Sequence, residues 1–223
     1  MREGKLVSFE GANGVGKTFY IERLKEHYAN NPNIVFHKQI MDDKHKGIQE
    51  QIFKILSSTG SRFFDMGLPM TETALLTAKM AHDNETVFSQ AISQGKTIIS
   101  DRNIDTVCVY QALMMAKKYG GDPLVHANRI FDAISYFCAI PAITFLFTGN
   151  IEAVISRAEK RNHDSYSASD NALLKAVSEL YVRFAKKYKD RFRVIDTSKH
   201  STQEALQILI NEIDYISGVK SEQ

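Results

Sequence analysis

An eight-residue stretch, Gly11-Ala12-Asn13-Gly14-Val15-Gly16-Lys17-Thr18, constrains this chain more than any other feature of it. It matches G-x-x-x-x-G-K-[ST] at every specified position, directly after the apolar Leu6-Val7-Ser8-Phe9 and before a run of helical period. The glycines let successive N–H groups turn inward, and the helix that follows adds its positive end, so strand, loop and helix together form a cradle for phosphate oxygens. Asn13, Gly14, Val15 and Gly16 supply that backbone, Lys17 is expected to reach the β- and γ-phosphates of ATP, and the Thr18 hydroxyl to ligate Mg²⁺.

Such a loop needs a parallel sheet, and the rest of the chain supplies the pattern for one. Short runs rich in Ile, Val and Phe at residues 6–9, 34–37, 97–100, 142–147 and 192–195 alternate with segments of helical period at 17–28, 47–57, 71–94, 106–118, 124–137, 151–160, 170–188 and 202–216. The expected fold is therefore α/β, a five-stranded parallel sheet with helices on both faces. Gly95 reads as a helix C-cap directly before a strand, and Gly120-Gly121-Asp122-Pro123 as a turn between two helices. With 223 residues and no linker or repeat, residues 1–223 are expected to form one domain.

A P-loop says what the donor is and leaves motors, GTPases, ATPases and kinases open. No N-K-x-D is present to specify guanine, and 28 basic against 26 acidic residues give no polybasic surface for a nucleic acid. No apolar run approaches the length of a membrane span, and the short charged N-terminus leaves no room for a signal peptide. Cys108 and Cys138 each sit in apolar surroundings, which fits free thiols in a reducing cytoplasm. The apolar run Thr97-Ile98-Ile99-Ser100 ends in Asp101-Arg102. A carboxylate at that strand end can hold Mg²⁺ or its water, and the adjacent guanidinium can clamp an acceptor phosphate.

From Phe9-Glu10-Gly11 through Thr18, then Gly95 with Asp101-Arg102 and Tyr110-Gln111, then Pro141-Ala142-Ile143-Thr144-Phe145-Leu146 leading to Arg157 and Arg161, the ordered motifs resemble those of the thymidylate kinase family. The resemblance implies a P-loop kinase fold that transfers the γ-phosphoryl group of ATP, with Mg²⁺, to a nucleoside monophosphate, most often dTMP. It implies catalytic roles for Lys17, Asp101, Arg102, Arg157 and Arg161, a short lid at about residues 157–169, and substrate contacts from Glu10, Asn13, Leu76, Met80, Arg102, Tyr110 and Gln111. Thr18 and Asp101 are the metal ligands it implies, and a homodimer is a further expectation, with residues 131–137 as one contact. Arg157 and Arg161, four residues apart, share one helix face.

Departures gather on the acceptor side. Asn13 stands where the family has a carboxylate, Leu76 where a Phe stacks on thymine, Met80 where an Arg hydrogen-bonds the base, and Asn103 where an aromatic follows Asp-Arg. Lys79 or His82 could replace the lost base donor, and Lys46 or Lys54 an absent phosphate-binding arginine. The donor half of a kinase is intact, while the acceptor stays open between dTMP or a related pyrimidine deoxynucleotide, a nucleoside or modified nucleotide, and none at all in a purely nucleotide-binding protein.

Overall fold

The computed structural model describes residues 3–37, 47–162 and 165–218. Five strands, β1 (Leu6–Glu10), β2 (Ile34–His37), β3 (Thr97–Asp101), β4 (Ile143–Thr148) and β5 (Phe192–Asp196), pair in parallel in the order β2-β3-β1-β4-β5. Every residue of β1 is buried, as a central strand covered on both faces requires, whereas edge strands β2 and β5 are only partly covered. This central position aims the β1 C-terminus, and the loop that follows it, at the middle of the sheet's carboxyl edge, where open α/β sheets bind ligands.

Among the described residues, nine α-helices surround the sheet: α1 (Lys17–His27), α2 (Ile48–Leu56), α3 (Pro69–Asp83), α4 (Ser89–Ser93), α5 (Ile104–Tyr119), α6 (Pro123–Ser135), α7 (Ile151–Asn162), α8 (Ala168–Lys187) and α9 (Thr202–Ser217). Helices α1 and α9 pack together, tied by Tyr28, whose hydroxyl donates to Asp214 at 2.7 Å. The aromatic core under the P-loop is a stack of Phe9, Phe147 and Tyr20, with centroids 5.5 and 5.2 Å apart along the series. On α5, buried Asp105 accepts from Arg191 and from the Thr144 hydroxyl, joining α5 to the β4 and β5 ends. Removing one partner of such a buried pair strands the other charge, so this cluster is a structural tie.

Two expectations about the elements are corrected. The single helix anticipated at 71–94 is broken by a π-helical segment, Asn84–Phe88, between α3 and α4. The widened turn frees Asn84 to accept from the Ala139 amide at 2.8 Å and to donate to the Phe137 carbonyl, which pins the loop before β4. Helix α5 begins at Ile104, two residues earlier than anticipated, because the Asn103 side chain caps it. Of the segment 131–137, Phe131 turns inward onto Phe184 and Tyr188, while Tyr136 and Phe137 stay exposed. No helix among the described residues is long and apolar enough to cross a membrane.

Candidate active site

The P-loop takes the conformation its glycines permit. Gly11, Gly14 and Gly16 all have positive φ, at 133°, 87° and 104°. Gly14 is also pressed against α7, where a Cβ would lie 2.2 Å from the Val154 carbonyl oxygen. The Lys17 ammonium lies 3.0 Å from the carbonyl oxygens of Gly11 and Ala12, so the lysine laces the loop across its own mouth. Thr18 is exposed on the first turn of α1. Asp101 ends β3 beside β1, and its Oδ1 is buried without a hydrogen-bond partner. An unpartnered carboxylate oxygen at this place suits a Mg²⁺ ion or its water, and Thr18 with Asp101 is a donor set of the hard-oxygen kind that ion prefers.

Arg102 follows with φ 67°, a left-handed conformation uncommon for a residue with a side chain. Its guanidinium is buried, donates to Asn13 of the P-loop and to the Thr106 hydroxyl, and lies 5.7 Å from the Tyr110 ring centroid. Burial works against the charge, but Tyr110, Tyr181, Asp101 and Glu10 around it outweigh burial and raise the pKa, so the group stays cationic. A cleft opens beside it, lined by Asn13, Arg62, Phe63, Leu76, Arg102 and Tyr110 among others, with Gln111 in its wall. Phe63 and Tyr110 present nearly parallel rings there, 28° apart with centroids at 6.1 Å.

Several anticipated residues lie elsewhere. Met80 is buried one turn beyond Leu76 and does not line the cleft. Lys79, fully buried, pairs with Asp83, and Lys54 pairs with Glu50 on the surface of α2, so neither is turned to the cleft. Lys46 and the Arg161 side chain lie outside the described residues. Arg157 is exposed on α7, its Nε donating to Ala153 and its Nη2 close to Gly149 at the end of β4. The anticipated lid is anchored at its far end: Tyr166, just before α8, is buried against Phe63, and the Arg62 guanidinium stands 4.5 Å from its ring centroid. Arg62, Phe63, Phe64, Thr106 and Val107 are the cleft residues that sequence reasoning missed. Arg62 and Phe63 occupy a connection without period, and only the Ser-Arg-Phe-Phe cluster between two helices hinted at them.

Glu10, anticipated as a substrate contact, is instead fully buried behind the cleft. One carboxylate oxygen accepts from the Ser8 hydroxyl and the Asn103 amide, each at 2.7 Å; the other accepts from Thr106 and, at 2.9 Å, from the Tyr181 hydroxyl. Burial first, then neighbouring Asp105, push its carboxyl up to about 7 against the opposing effects of Ser8, Thr106 and Arg102. Because the folded-state value lies above the ordinary 4.5, its contribution to stability is fully present below that pH and is lost as pH rises through about 7. Replacing it by glutamine removes this titration. The melting temperature of the wild type relative to E10Q is therefore expected to fall between about pH 5 and 8. A difference that stays constant over that range would refute the assignment.

Comparison with known proteins agrees with this geometry. The family model described as thymidylate kinase matches residues 9–208. A probable thymidylate kinase of Methanococcoides burtonii is 30% identical over 216 residues, covering 95% of this chain and 99% of that one. The thymidylate kinase of Caldanaerobacter subterraneus subsp. tengcongensis is 27% identical over 217 residues, covering 97% and 99%. Among solved structures, that of thymidylate kinase from Candida albicans superposes with a TM-score of 0.69 over 96% of this chain and 92% of that one, at 16% identity, a likeness of fold.

Proposed function

The chain belongs to the thymidylate kinase family, and we propose on that premise that it transfers the γ-phosphoryl group of ATP to the 5′-phosphate of dTMP, giving dTDP and ADP. The observation that carries this reading is the position of Arg102, buried between the P-loop and the cleft and hydrogen-bonded to Asn13 of that loop. A phosphate held there lies next to the one in the cradle, which is the arrangement an in-line transfer requires.

Each part then has a role. Backbone N–H groups of residues 13–18 and the Lys17 ammonium receive the ATP phosphates, with the Arg157 and Arg161 end of α7 at the mouth as part of a lid. Thr18 and Asp101 would hold Mg²⁺, which when bound neutralises charge on the β- and γ-phosphates. Arg102 offsets the repulsion between acceptor dianion and triphosphate. Phe63 and Tyr110 offer the base a flat face, in place of the stacking aromatic that Leu76 replaces. No covalent intermediate is needed. We further take residues 1–223 as one cytoplasmic kinase unit. Its homodimer would cover the exposed Tyr136 and Phe137 and the apolar groove that Met70, Met115, Tyr119 and Ile134 line between α3, α5 and α6.

A coupled ADP-release assay across dTMP, dUMP and thymidine tests the reading. The highest kcat/KM is expected with dTMP. Turnover of thymidine without turnover of dTMP would move the reaction to the nucleoside and overturn it.

A further inference from the structure

Arg102 is held by more than its own contacts. Its peptide link to Asn103 is fixed at both polar atoms: the Ser100 hydroxyl donates to the Arg102 carbonyl at 2.8 Å, and the Asn103 amide donates to Glu10 at 2.7 Å. The Arg102 amide itself donates to the Phe9 carbonyl at 3.1 Å. A left-handed residue with a side chain persists only where its surroundings over-determine it, and these three bonds do so. The guanidinium is reached from the same carboxylate by a second route. Glu10 takes the Thr106 hydrogen, which leaves the hydroxyl's lone pairs to accept from Arg102 Nη1 at 3.1 Å.

We propose that Glu10 is a positioning residue for the transfer reaction, one of its oxygens fixing the backbone turn of Arg102 and the other, through the Thr106 hydroxyl, fixing the guanidinium. Every oxygen of Glu10 is already engaged within the protein, so it touches neither nucleotide. Its hydrogen-bond sense also matters. A carboxylate can only accept, so Thr106 must donate to it and accept from Arg102; a neutral amide or acid at the same place can donate to Thr106 and releases that constraint. The groups facing Glu10 are Ser8 of β1, Asp105, Thr106, Cys108 and Tyr110 of α5, Tyr181 of α8, Arg102 of the turn and Arg191 before β5, and the two arginines are the cations that offset its charge.

The proposal rests on the reading of Arg102 as the acceptor-phosphate clamp, and the test separates the two. Steady-state constants for dTMP and ATP, with melting temperatures, are measured for T106V, T106S, E10Q and R102Q. In T106V the shape stays and the hydroxyl goes, so the dTMP KM should rise roughly tenfold or more, as for a lost hydrogen bond to a charged group. The ATP KM should stay within about twofold, since no P-loop group is altered. T106S should restore the wild-type constant, and E10Q should follow T106V. A dTMP KM unchanged in T106V, a T106S variant as impaired as T106V, or an ATP KM rising in step would each overturn the proposal. If R102Q itself leaves the dTMP KM unchanged, the clamp fails and the proposal with it; if R102Q raises that KM while T106V does not, only the positioning role of Glu10 falls.

Discussion

Replacing Gly14 with alanine should lower kcat/KM for ATP by about a hundredfold or more, on the scale of losing one preorganised donor from a charge-stabilising site. Two effects combine at this residue. Its φ of 87° lies where a side chain is strained by about 1–2 kcal/mol. The added Cβ would also sit 2.2 Å from the Val154 carbonyl oxygen and 2.9 Å from the Ala158 Cβ, both on α7. One is backbone and the other a methyl with no rotamer to change, so either α7 moves outward or the loop turns over. Both outcomes take N–H groups out of the cradle, and the first also displaces the helix that carries Arg157. Gly120→Ala is the control: its φ is 76° but nothing lies within 4 Å of the new Cβ, so strain acts without a clash and ATP constants should not move. A Gly14→Ala enzyme with wild-type ATP constants would show that the fit of the loop against α7 is irrelevant to donor binding.

What could be read from the sequence divides along the line between local and tertiary causes. The P-loop and its flanking strand and helix were legible because the motif, the apolar run and the glycines are contiguous, and β2 falls at the anticipated residues for the same reason. Gly95 follows α4 in the conformation of the cap it was read as, at φ 75°, and the turn anticipated at Gly120 starts with that residue capping α5 at φ 76°. The start of α8 at Ala168, two residues before the anticipated one, was readable from the Ser167 and Asp170 capping box. By contrast, the acceptor wall was legible only in part, at Asn13, Leu76, Arg102, Tyr110 and Gln111. Arg62 and Phe63 lie on a connection that has no period, and Tyr110 and Tyr166 meet Phe63 only because the sheet brings α5 and the α7–α8 connection together. Leu76 and Met80 share a helix face, yet only Leu76 lines the cleft. Glu10 shows the same limit from the opposite side: its place beside the P-loop suggested a ligand contact, but β1 is central, so the side chain turns into the core.

The acceptor side therefore diverges in sequence without being dismantled. A cleft remains, with two arginines and three aromatic rings lining it, two of them nearly parallel. Stacking on Phe63 and Tyr110 tolerates any planar base, whereas rejection of the wrong base requires polar groups that go unpaired without the right one. Gln111, in the cleft wall with its Oε1 3.3 Å from the Thr73 hydroxyl, is a polar group placed for that discrimination.

Lys17→Ala should reduce turnover by about a thousandfold, the scale on which preorganised charge at the transferring group acts. The ammonium is buried in the loop, at 3.0 Å from the Gly11 and Ala12 carbonyl oxygens, so the substitution removes two things at once. It deletes the positive charge that faces the β- and γ-phosphates, and it unlaces the loop by leaving those carbonyls without this donor. The two losses are separable by measurement. Unlacing alone weakens ATP binding, and ATP at a hundred times its Kd stabilises a protein by about 2.7 kcal/mol, so a reduced ATP-induced rise in melting temperature reports it. Loss of charge at the transferring group appears instead in kcat at saturating ATP. A strong fall in kcat with the ATP-induced stabilisation partly retained is the expected result, because residues 13–18 still offer their backbone N–H groups. Wild-type turnover with dTMP that cannot be distinguished from that of Lys17→Ala would leave a nucleotide-binding protein without transferase activity, and would end the kinase reading.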